Sequence, residues 1–351
     1  MYYGNQFKET SFSLISKGDE CFLINIYDFL NKQDTLRALS DETFLEVLPE
    51  LARQLALVDY HYSYSEEELK KDWKKLLSYK NSSFFTASQV RTGMKLCEHF
   101  FPNFFDIVNP QGIGFKNFWN ERDLQKVLIW NRKSHSTPYI SELRRGISFC
   151  FGLTKNTMFR PHLAKMICDY YKPTIVLDPC AGWGGRMLGV VASGAKYIAY
   201  EPNTETYKHL EEVASFLGIQ DKVELYNEDS GKAIFPAHDL VLTSPPYYNL
   251  EVYSQEETQS ENQFDTYEEW LDKWLLPLAR ESAKGAKTLC WNVANVGKMK
   301  IQDDLFSFLE EQGWKIDVSF GIGSSARQAN QNVKKNKKNI DITACFTLDK
   351  K

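Results

Sequence analysis

The stretch that decides the fold is Asp239-Leu240-Val241-Leu242-Thr243-Ser244-Pro245-Pro246-Tyr247-Tyr248-Asn249. Its apolar run, residues 240–242, is typical of a buried parallel strand. Two consecutive prolines follow, and because proline has no backbone N–H and a fixed φ, the strand cannot continue past Thr243. The sequence therefore predicts a strand that ends in a stiff loop beyond its carboxyl end, where ligands bind in open α/β sheets.

The second half of the chain alternates short apolar runs with helical patterns. We predict strands at residues 174–178, 197–201, 223–226, 240–243, 288–292, 315–320 and 340–348. Helices are predicted between them at residues 185–192, 204–217, 267–283 and 302–311. Because the last two strands have no helix between them, we expect an antiparallel pair at one edge. The pattern predicts an α/β fold, a Rossmann-like sheet of seven strands, with a mainly helical N-terminal domain before it.

Glycines and acids follow the predicted strands where a parallel sheet binds ligands. The first strand is followed by a turn that contains Asp178, Pro179, Ala181, Gly182 and Gly184. Glycines there permit a tight turn and a close approach of the backbone to a ligand.

Three further polar residues follow the next three strands. Glu201 ends the second strand, about 20 residues after the glycine turn begins, where an acid can accept both hydroxyls of a ribose. Asp229 follows the third strand and Ser244 the fourth. Polar residues at four successive strand ends predict one site built across the sheet edge.

The tetrapeptide Ser244-Pro245-Pro246-Tyr247 resembles the catalytic motif of the S-adenosylmethionine (SAM)-dependent methyltransferases that modify exocyclic amino groups of DNA bases. Serine in first position resembles the cytosine-N4 members. The resemblance implies that Ser244 and the Pro245 carbonyl bind the amino hydrogens, that Pro246 stiffens the loop, and that Tyr247 stacks on a flipped base.

Seven strands with a terminal pair also resemble the SAM-dependent methyltransferase fold, so SAM is the implied cofactor. The resemblance covers roughly the second half of the chain, residues 151–351, which we predict to be the catalytic domain. It implies a set of cofactor-binding residues: Phe159, Asp178, Pro179, Ala181, Gly182, Gly184, Glu201, Asp229 and Ser244.

Four alternatives stay open at the level of sequence. Adenine-N6 methylation uses related tetrapeptides, and so does methylation of RNA amino groups. A non-catalytic SAM-fold protein that binds nucleic acid is a third reading, although intact acids at Glu201 and Asp229 oppose it. An NAD oxidoreductase would share the glycine turn but would leave the Ser-Pro-Pro-Tyr motif unexplained.

Composition describes an ordinary globular chain of 351 residues, 43% of them hydrophobic and 25% charged, with a net charge of −4. Its seven cysteines form no CxxC pairs, which favours a reducing, cytoplasmic location and opposes a disulfide framework or a metal site. We expect neither a signal peptide nor a membrane span. The composition carries no signal of oligomeric state.

DNA is the predicted partner, and two regions are candidates to bind it. Residues 81–170 carry twelve basic and six acidic residues with interleaved aromatics, so the N-terminal domain, residues 1–150, is a candidate for target recognition. An acid-free loop at residues 321–339 and the second tyrosine of the catalytic loop supply predicted nucleic-acid contacts: Tyr248, Arg327, Gln328, Lys334, Lys335, Lys337 and Lys338. We expect residues 251–264 to be mobile and to order over a flipped base.

Overall fold

The computed structural model describes residues 13–17, 20–24, 35–80, 90–134, 137–153, 157–248, 252–254, 256–322 and 341–348. The chain forms two compact units. The first contains Met1–Ser65 and Phe104–Asn156, and the second contains Glu66–Asn103 and Thr157–Lys351. The second unit therefore also contains residues 66–80 and 90–103, which precede the boundary that the sequence predicts at residue 150.

In the part of the chain that the structure describes, the second unit contains one seven-stranded sheet. Its strands are β3 Ile175–Asp178, β4 Lys196–Tyr200, β5 Val223–Tyr226, β6 Leu240–Thr243, β7 Thr288–Val293, β8 Trp314–Ile322 and β9 Asp341–Leu348. Their order is β5-β4-β3-β6-β7-β9-β8. The first five of these are parallel neighbours, and β9 runs antiparallel to both β7 and β8. The predicted fold class and the terminal antiparallel pair are confirmed.

The central strands are short and mostly apolar because both faces of the sheet are covered. Every residue of β6 and β7 is buried. The chain crosses from β3 to β4 and β5 on one side and returns to β6 on the other. This reversal between β3 and β6 is a topological switch point, where doubly wound sheets form their ligand crevice.

Helices of the second unit connect and cover these strands. The described α-helices are α3 Glu66–Leu77, α4 Met94–Phe100, α8 Pro161–Tyr171, α9 Gly185–Ala192, α10 Thr204–Leu217, α11 Tyr267–Trp270, α12 Leu276–Ser282 and α13 Ile301–Glu311. The helix predicted at residues 267–283 is interrupted by a π-helical turn, Leu271–Leu275. Pro277 explains the interruption, because it has no N–H to donate and its ring clashes with the carbonyl of residue 273.

The first unit is mainly helical, as predicted, and also contains a hairpin that the sequence did not reveal. The described elements are β1 Ser13–Lys17, β2 Glu20–Ile24, α1 Thr35–Ala38, α2 Asp41–Ala56, α5 Phe115–Phe118, α6 Glu121–Lys133 and α7 Ile140–Phe151. One apolar core joins α2, α6 and α7. Helix α7 approaches α6 closely at Gly146, where a Cβ would lie 2.7 Å from Val127.

Candidate functional site

The four polar residues predicted at strand ends lie at one edge of the sheet. Asp178, Glu201, Asp229 and Ser244 follow β3, β4, β5 and β6, which are adjacent in the order β5-β4-β3-β6. Parallel strands bring their carboxyl ends to the same edge, so residues spread over 67 positions of sequence face one crevice.

Asp178 is the structural centre of this edge. It is fully buried, and its Oδ2 accepts hydrogen bonds from Arg186 Nε at 2.6 Å and from the Tyr197 hydroxyl at 2.7 Å. Its Oδ1 accepts from the Thr243 hydroxyl at 2.7 Å and from the Cys180 backbone N–H at 3.1 Å. These four donors use the full acceptor capacity of the carboxylate. Asp178 therefore fixes the turn, and its carboxylate has no capacity left for a ligand.

Two residues from other segments, Phe101 and Phe159, pack against the glycine turn. Gly182 and Gly184 have φ values of +57° and +68°, which favour glycine. A Cβ on Gly184 would lie 2.7 Å from the Phe101 ring, and a Cβ on Gly185 would lie 1.9 Å from the Phe159 carbonyl oxygen. Phe159, a predicted cofactor contact, thus lies against the start of α9. At Gly182, by contrast, an added Cβ would make only ordinary van der Waals contact, 3.8 Å from Arg186 Nη2 and 3.9 Å from the Cys180 carbonyl oxygen.

Glu201 presents a buried carboxylate at the end of β4, with a side chain that is 8% exposed. Its Oε2 accepts from the Gly182 N–H at 2.8 Å and its Oε1 from the Asn203 N–H at 3.0 Å. Burial raises the pKa of Glu201 to about 7, although the two backbone hydrogen bonds oppose the shift. Among the described residues no other donor reaches it, so each oxygen keeps one acceptor direction. Two adjacent hydroxyls of a ribose fit this arrangement.

Asp229 begins a short 3₁₀ turn after β5, Ser230–Lys232, and its carboxylate is held by side chains that the sequence analysis missed. Oδ1 accepts from the Gly231 N–H at 2.9 Å and from Trp274 Nε1 at 3.0 Å. Oδ2 accepts from Gln263 Nε2 at 3.1 Å. A tryptophan or glutamine 34 to 45 residues away gives no local signal, so this arrangement appears in the folded chain alone.

The Ser-Pro-Pro-Tyr loop leaves β6 as predicted. The Ser244 hydroxyl donates to the Asn292 carbonyl oxygen on β7 at 3.0 Å. Its hydrogen is therefore engaged, and its lone pairs can accept. Pro245 is buried, whereas Pro246 and Tyr247 are half-buried.

Tyr248, a predicted nucleic-acid contact, is placed differently. It has φ of +50°, is 6% exposed, and donates its hydroxyl to the Phe264 carbonyl oxygen at 3.1 Å. Its ring packs 5.9 Å from that of Trp270. Tyr248 is a core residue in this structure because the left-handed backbone turns its side chain inward. The other predicted contacts, Arg327, Gln328, Lys334, Lys335, Lys337 and Lys338, lie outside the described residues.

The described residues of the segment 252–263 contact the strand ends that carry Glu201 and Asp229. The Tyr253 ring meets the Trp183 ring of the glycine turn edge-on at 5.5 Å. The Glu256 carboxylate accepts from the Thr204 N–H at 3.2 Å, at the start of α10. Tyr253 and Glu256, from the segment that we expected over a flipped base, therefore contact the predicted cofactor side of the crevice.

Neither a membrane-spanning helix nor a metal-binding cluster occurs within the described ranges. No helix there is both long and apolar enough to cross a membrane. No group of three or more His, Cys, Asp or Glu side chains there is arranged to hold a metal ion.

No protein-family model and no curated protein matches this chain. Solved structures do match. A Pyrococcus horikoshii protein provisionally named as an RNA methyltransferase is 15% identical, over 54% of this chain and 82% of that one, with a TM-score of 0.36. The human methyltransferase 10 domain containing protein is 11% identical, over 57% and 92%, with a TM-score of 0.38. An O-methyltransferase from Brevibacillus brevis, bound to S-adenosyl-L-homocysteine, is 10% identical, over 54% and 70%, with a TM-score of 0.34. Similarities at these scores carry no conclusion about the function of this chain, which we infer from its own residues.

Proposed function

We propose that this protein is a SAM-dependent methyltransferase that transfers a methyl group to the exocyclic amino group of a DNA base, cytosine N4 in the first instance. The observation that carries the proposal is the alignment of Glu201, Asp229 and Ser244 along the ends of neighbouring strands beside a turn whose Gly182 and Gly184 have positive φ. SAM, when bound, supplies an electrophilic methyl group on a sulfonium centre.

The residues fit the parts of that cofactor. The two remaining acceptor directions of Glu201 match the ribose hydroxyls, and Asp229 lies one strand further out, where it can accept from the adenine amino group. Because Gly182 has no side chain, its backbone can approach the methionine end of the molecule closely.

The catalytic loop is suited to orient an amine. An exocyclic amino group is a weak nucleophile because its lone pair is delocalised into the ring. Ser244 accepts one amino hydrogen, since its own hydrogen is donated to the Asn292 carbonyl, and the Pro245 carbonyl accepts the other. Both acceptors are fixed before the base arrives, which lowers the cost of orientation. The oriented nitrogen would accept the methyl group that bound SAM supplies, leaving S-adenosylhomocysteine, and water would take the proton from the product amine.

A stacked surface on the first unit supports a nucleic-acid partner. The Trp130 and Phe149 rings stack at 5.2 Å, with the Arg145 guanidinium 5.5 Å from the Phe149 ring. Phe149 is 50% exposed, so its large apolar ring is accessible to a binding partner. Arg145 is also paired with Glu142 at 2.9 Å, so its charge is partly neutralised.

A second stack lies on the same two helices and their neighbour α5. Phe118 and Phe151 stack at 4.3 Å, and Lys126 Nζ lies 5.4 Å from the Phe151 ring. Phe118 and Phe151 are half-buried. A cation beside an accessible ring, as at Arg145 and Phe149, is the combination that binds unstacked bases and their phosphates.

The function is tested by nucleoside mass spectrometry of DNA incubated with the protein and deuteromethyl-labelled SAM. Ser244→Ala is compared with Ser193→Ala, whose hydroxyl likewise donates to a backbone carbonyl, that of Val190, away from the strand ends. We expect labelled N4-methylcytosine with wild type and Ser193→Ala, and at least a tenfold loss with Ser244→Ala. Labelled N6-methyladenine without N4-methylcytosine would show that adenine, and not cytosine, is the substrate. Label in RNA alone would overturn DNA as the partner. SAM binding without any methylated base would favour the non-catalytic alternative.

The partner is tested separately by fluorescence anisotropy with single-stranded DNA. Phe149→Ala is compared with Leu57→Ala, which removes another exposed apolar side chain, 71% exposed, of the same unit. Loss of one base-stacking ring weakens binding roughly fivefold or more, whereas the Leu57 variant binds like wild type. Equal affinities for the two variants would remove this surface from the proposal.

A further inference from the structure

The Asp229 carboxylate is held in a single orientation by two side chains that no sequence motif identifies. Trp274 donates to Oδ1 and Gln263 donates to Oδ2, while the Gly231 N–H also donates to Oδ1. The Trp274 side chain is 5% exposed, so its contact with Asp229 is largely shielded from water.

The three donors leave the Asp229 carboxylate with little remaining capacity to accept hydrogen bonds. An ionised carboxylate has about four acceptor directions, and three of those on Asp229 are occupied. Among the described residues the next donor, Lys232 Nζ, is 4.0 Å from Oδ2. One acceptor direction therefore remains, on the oxygen that Gln263 holds.

The orientation of Gln263 is fixed by its own partners. Its Nε2 donates to Asp229 at 3.1 Å and to the Thr258 carbonyl oxygen at 3.3 Å. A flipped amide would place its oxygen against two acceptors, so the hydrogen-bond network selects the orientation in which the amide donates. Thr258 belongs to the segment 252–263, so this segment contributes directly to the geometry at Asp229.

Two local features bring Trp274 close to Asp229: a glycine at position 231 and a π-helical turn. A Cβ on Gly231 would lie 2.4 Å from the Trp274 ring, so residue 231 must be glycine for the indole to reach Asp229. Trp274 itself lies in the π-helical turn, Leu271–Leu275. Such turns are rare and occur often at functional sites.

We propose that Trp274 and Gln263 are positioning residues that make Asp229 selective for a 6-aminopurine. The single remaining acceptor direction accepts a hydrogen from an amino group at position 6. A 6-oxo purine presents an oxygen there, which is repelled by the carboxylate and leaves it without a donor. The inference rests on the proposed function, since it assigns a specificity to the proposed cofactor site.

The test measures selectivity by calorimetry, with S-adenosylhomocysteine and S-inosylhomocysteine as probes. Wild type is expected to bind the adenosyl probe about 100-fold more tightly than the inosyl probe, because a site built around a hydrogen bond rejects an analogue that lacks the donor. Gln263→Met nearly keeps the side-chain volume and Trp274→Phe keeps an aromatic ring, and each removes one donor to Asp229. Each is expected to reduce the ratio about tenfold, as Asp229 gains freedom to rotate.

Trp270→Phe is the matched control. Its indole N–H donates to Ser260 Oγ at 3.1 Å, in the same aromatic cluster but not to Asp229. We expect this variant to keep the wild-type ratio, so a change of ratio confined to the other two variants excludes a general effect of repacking. Unchanged ratios in Trp274→Phe and Gln263→Met, with wild type selective, would overturn the inference alone. Failure of wild type to bind the adenosyl probe would overturn the proposed function and, with it, this inference.

Discussion

The buried carboxyl of Glu201 makes the stability of the protein depend on pH in a calculable way. Burial raises its pKa from an ordinary value of 4.5 to about 7, against the opposing effect of the hydrogen bonds from Asn203 and Gly182. Nearby Asp178 raises the pKa further and Arg186 lowers it. The folded chain therefore holds this proton more tightly than the unfolded chain does.

This difference in pKa between the folded and unfolded chain sets the direction in which the free energy of unfolding changes with pH. The favourable contribution of the protonated group is fully present below the unfolded pKa of 4.5 and is lost as the pH rises through about 7. Between about pH 5.5 and about pH 8.5, these two pKa values give a loss of about 2 kcal/mol in the free energy of unfolding. The group is 8% exposed, so solvent screening reduces this figure little.

The perturbation is Glu201→Gln, which removes the titration but keeps the size of the side chain. Urea unfolding at both pH values is measured for wild type and variant, and the two pH differences are subtracted so that other titrating groups cancel. We expect the wild type to lose about 2 kcal/mol more than the variant between the two pH values. Glu228→Gln, an exposed acid near the same edge, is the control and is expected to follow wild type. A difference below about 0.5 kcal/mol between wild type and Glu201→Gln would refute the reasoning.

Three further substitutions test the glycine turn and the centre of the sheet edge. Gly184→Ala should lower the free energy of unfolding more than Gly182→Ala, because both have positive φ but a Cβ at 184 alone meets the Phe101 ring at 2.7 Å. The strain of positive φ costs each variant about 1 kcal/mol, and equal losses would show that Phe101 moves aside freely. Tyr197→Phe removes a buried donor to Asp178 and should cost about 1–3 kcal/mol in urea unfolding. A loss near zero would show that the remaining three donors satisfy that carboxylate.

Much of the catalytic half of the fold can be predicted from sequence because its signals are local. The strand at residues 240–243 and the helices at 185–192 and 204–217 have the predicted bounds. Apolar runs ended by proline or glycine identify buried strands whatever their neighbours are. The positions of Glu201, Asp229 and Ser244 could be anticipated for the same reason, since each follows directly from the end of a strand.

Other features depend on contacts between distant segments. The sequence pattern of residues 267–283 predicts one continuous helix, yet the π-helical turn places Trp274 against Asp229. Tyr248, the second tyrosine after the two prolines, is polar enough to suit a binding surface, but its left-handed backbone turns its side chain into the core. Local propensity contains no information about either outcome, because both depend on which side chains occupy the neighbouring space.

The sequence by itself determined that residues 173–348 alternate strands and helices into a doubly wound sheet, and that glycines, acids and a Pro-Pro loop follow four of its strands. Tertiary structure alone decided how those residues are used. It committed Asp178 entirely to internal donors, engaged the Ser244 hydrogen with Asn292, and left free acceptor directions on Glu201 and Asp229. The physical reason is that the capacity of a polar group to bind a ligand is what remains after its internal partners are satisfied, and those partners come from strands and helices far apart in the chain.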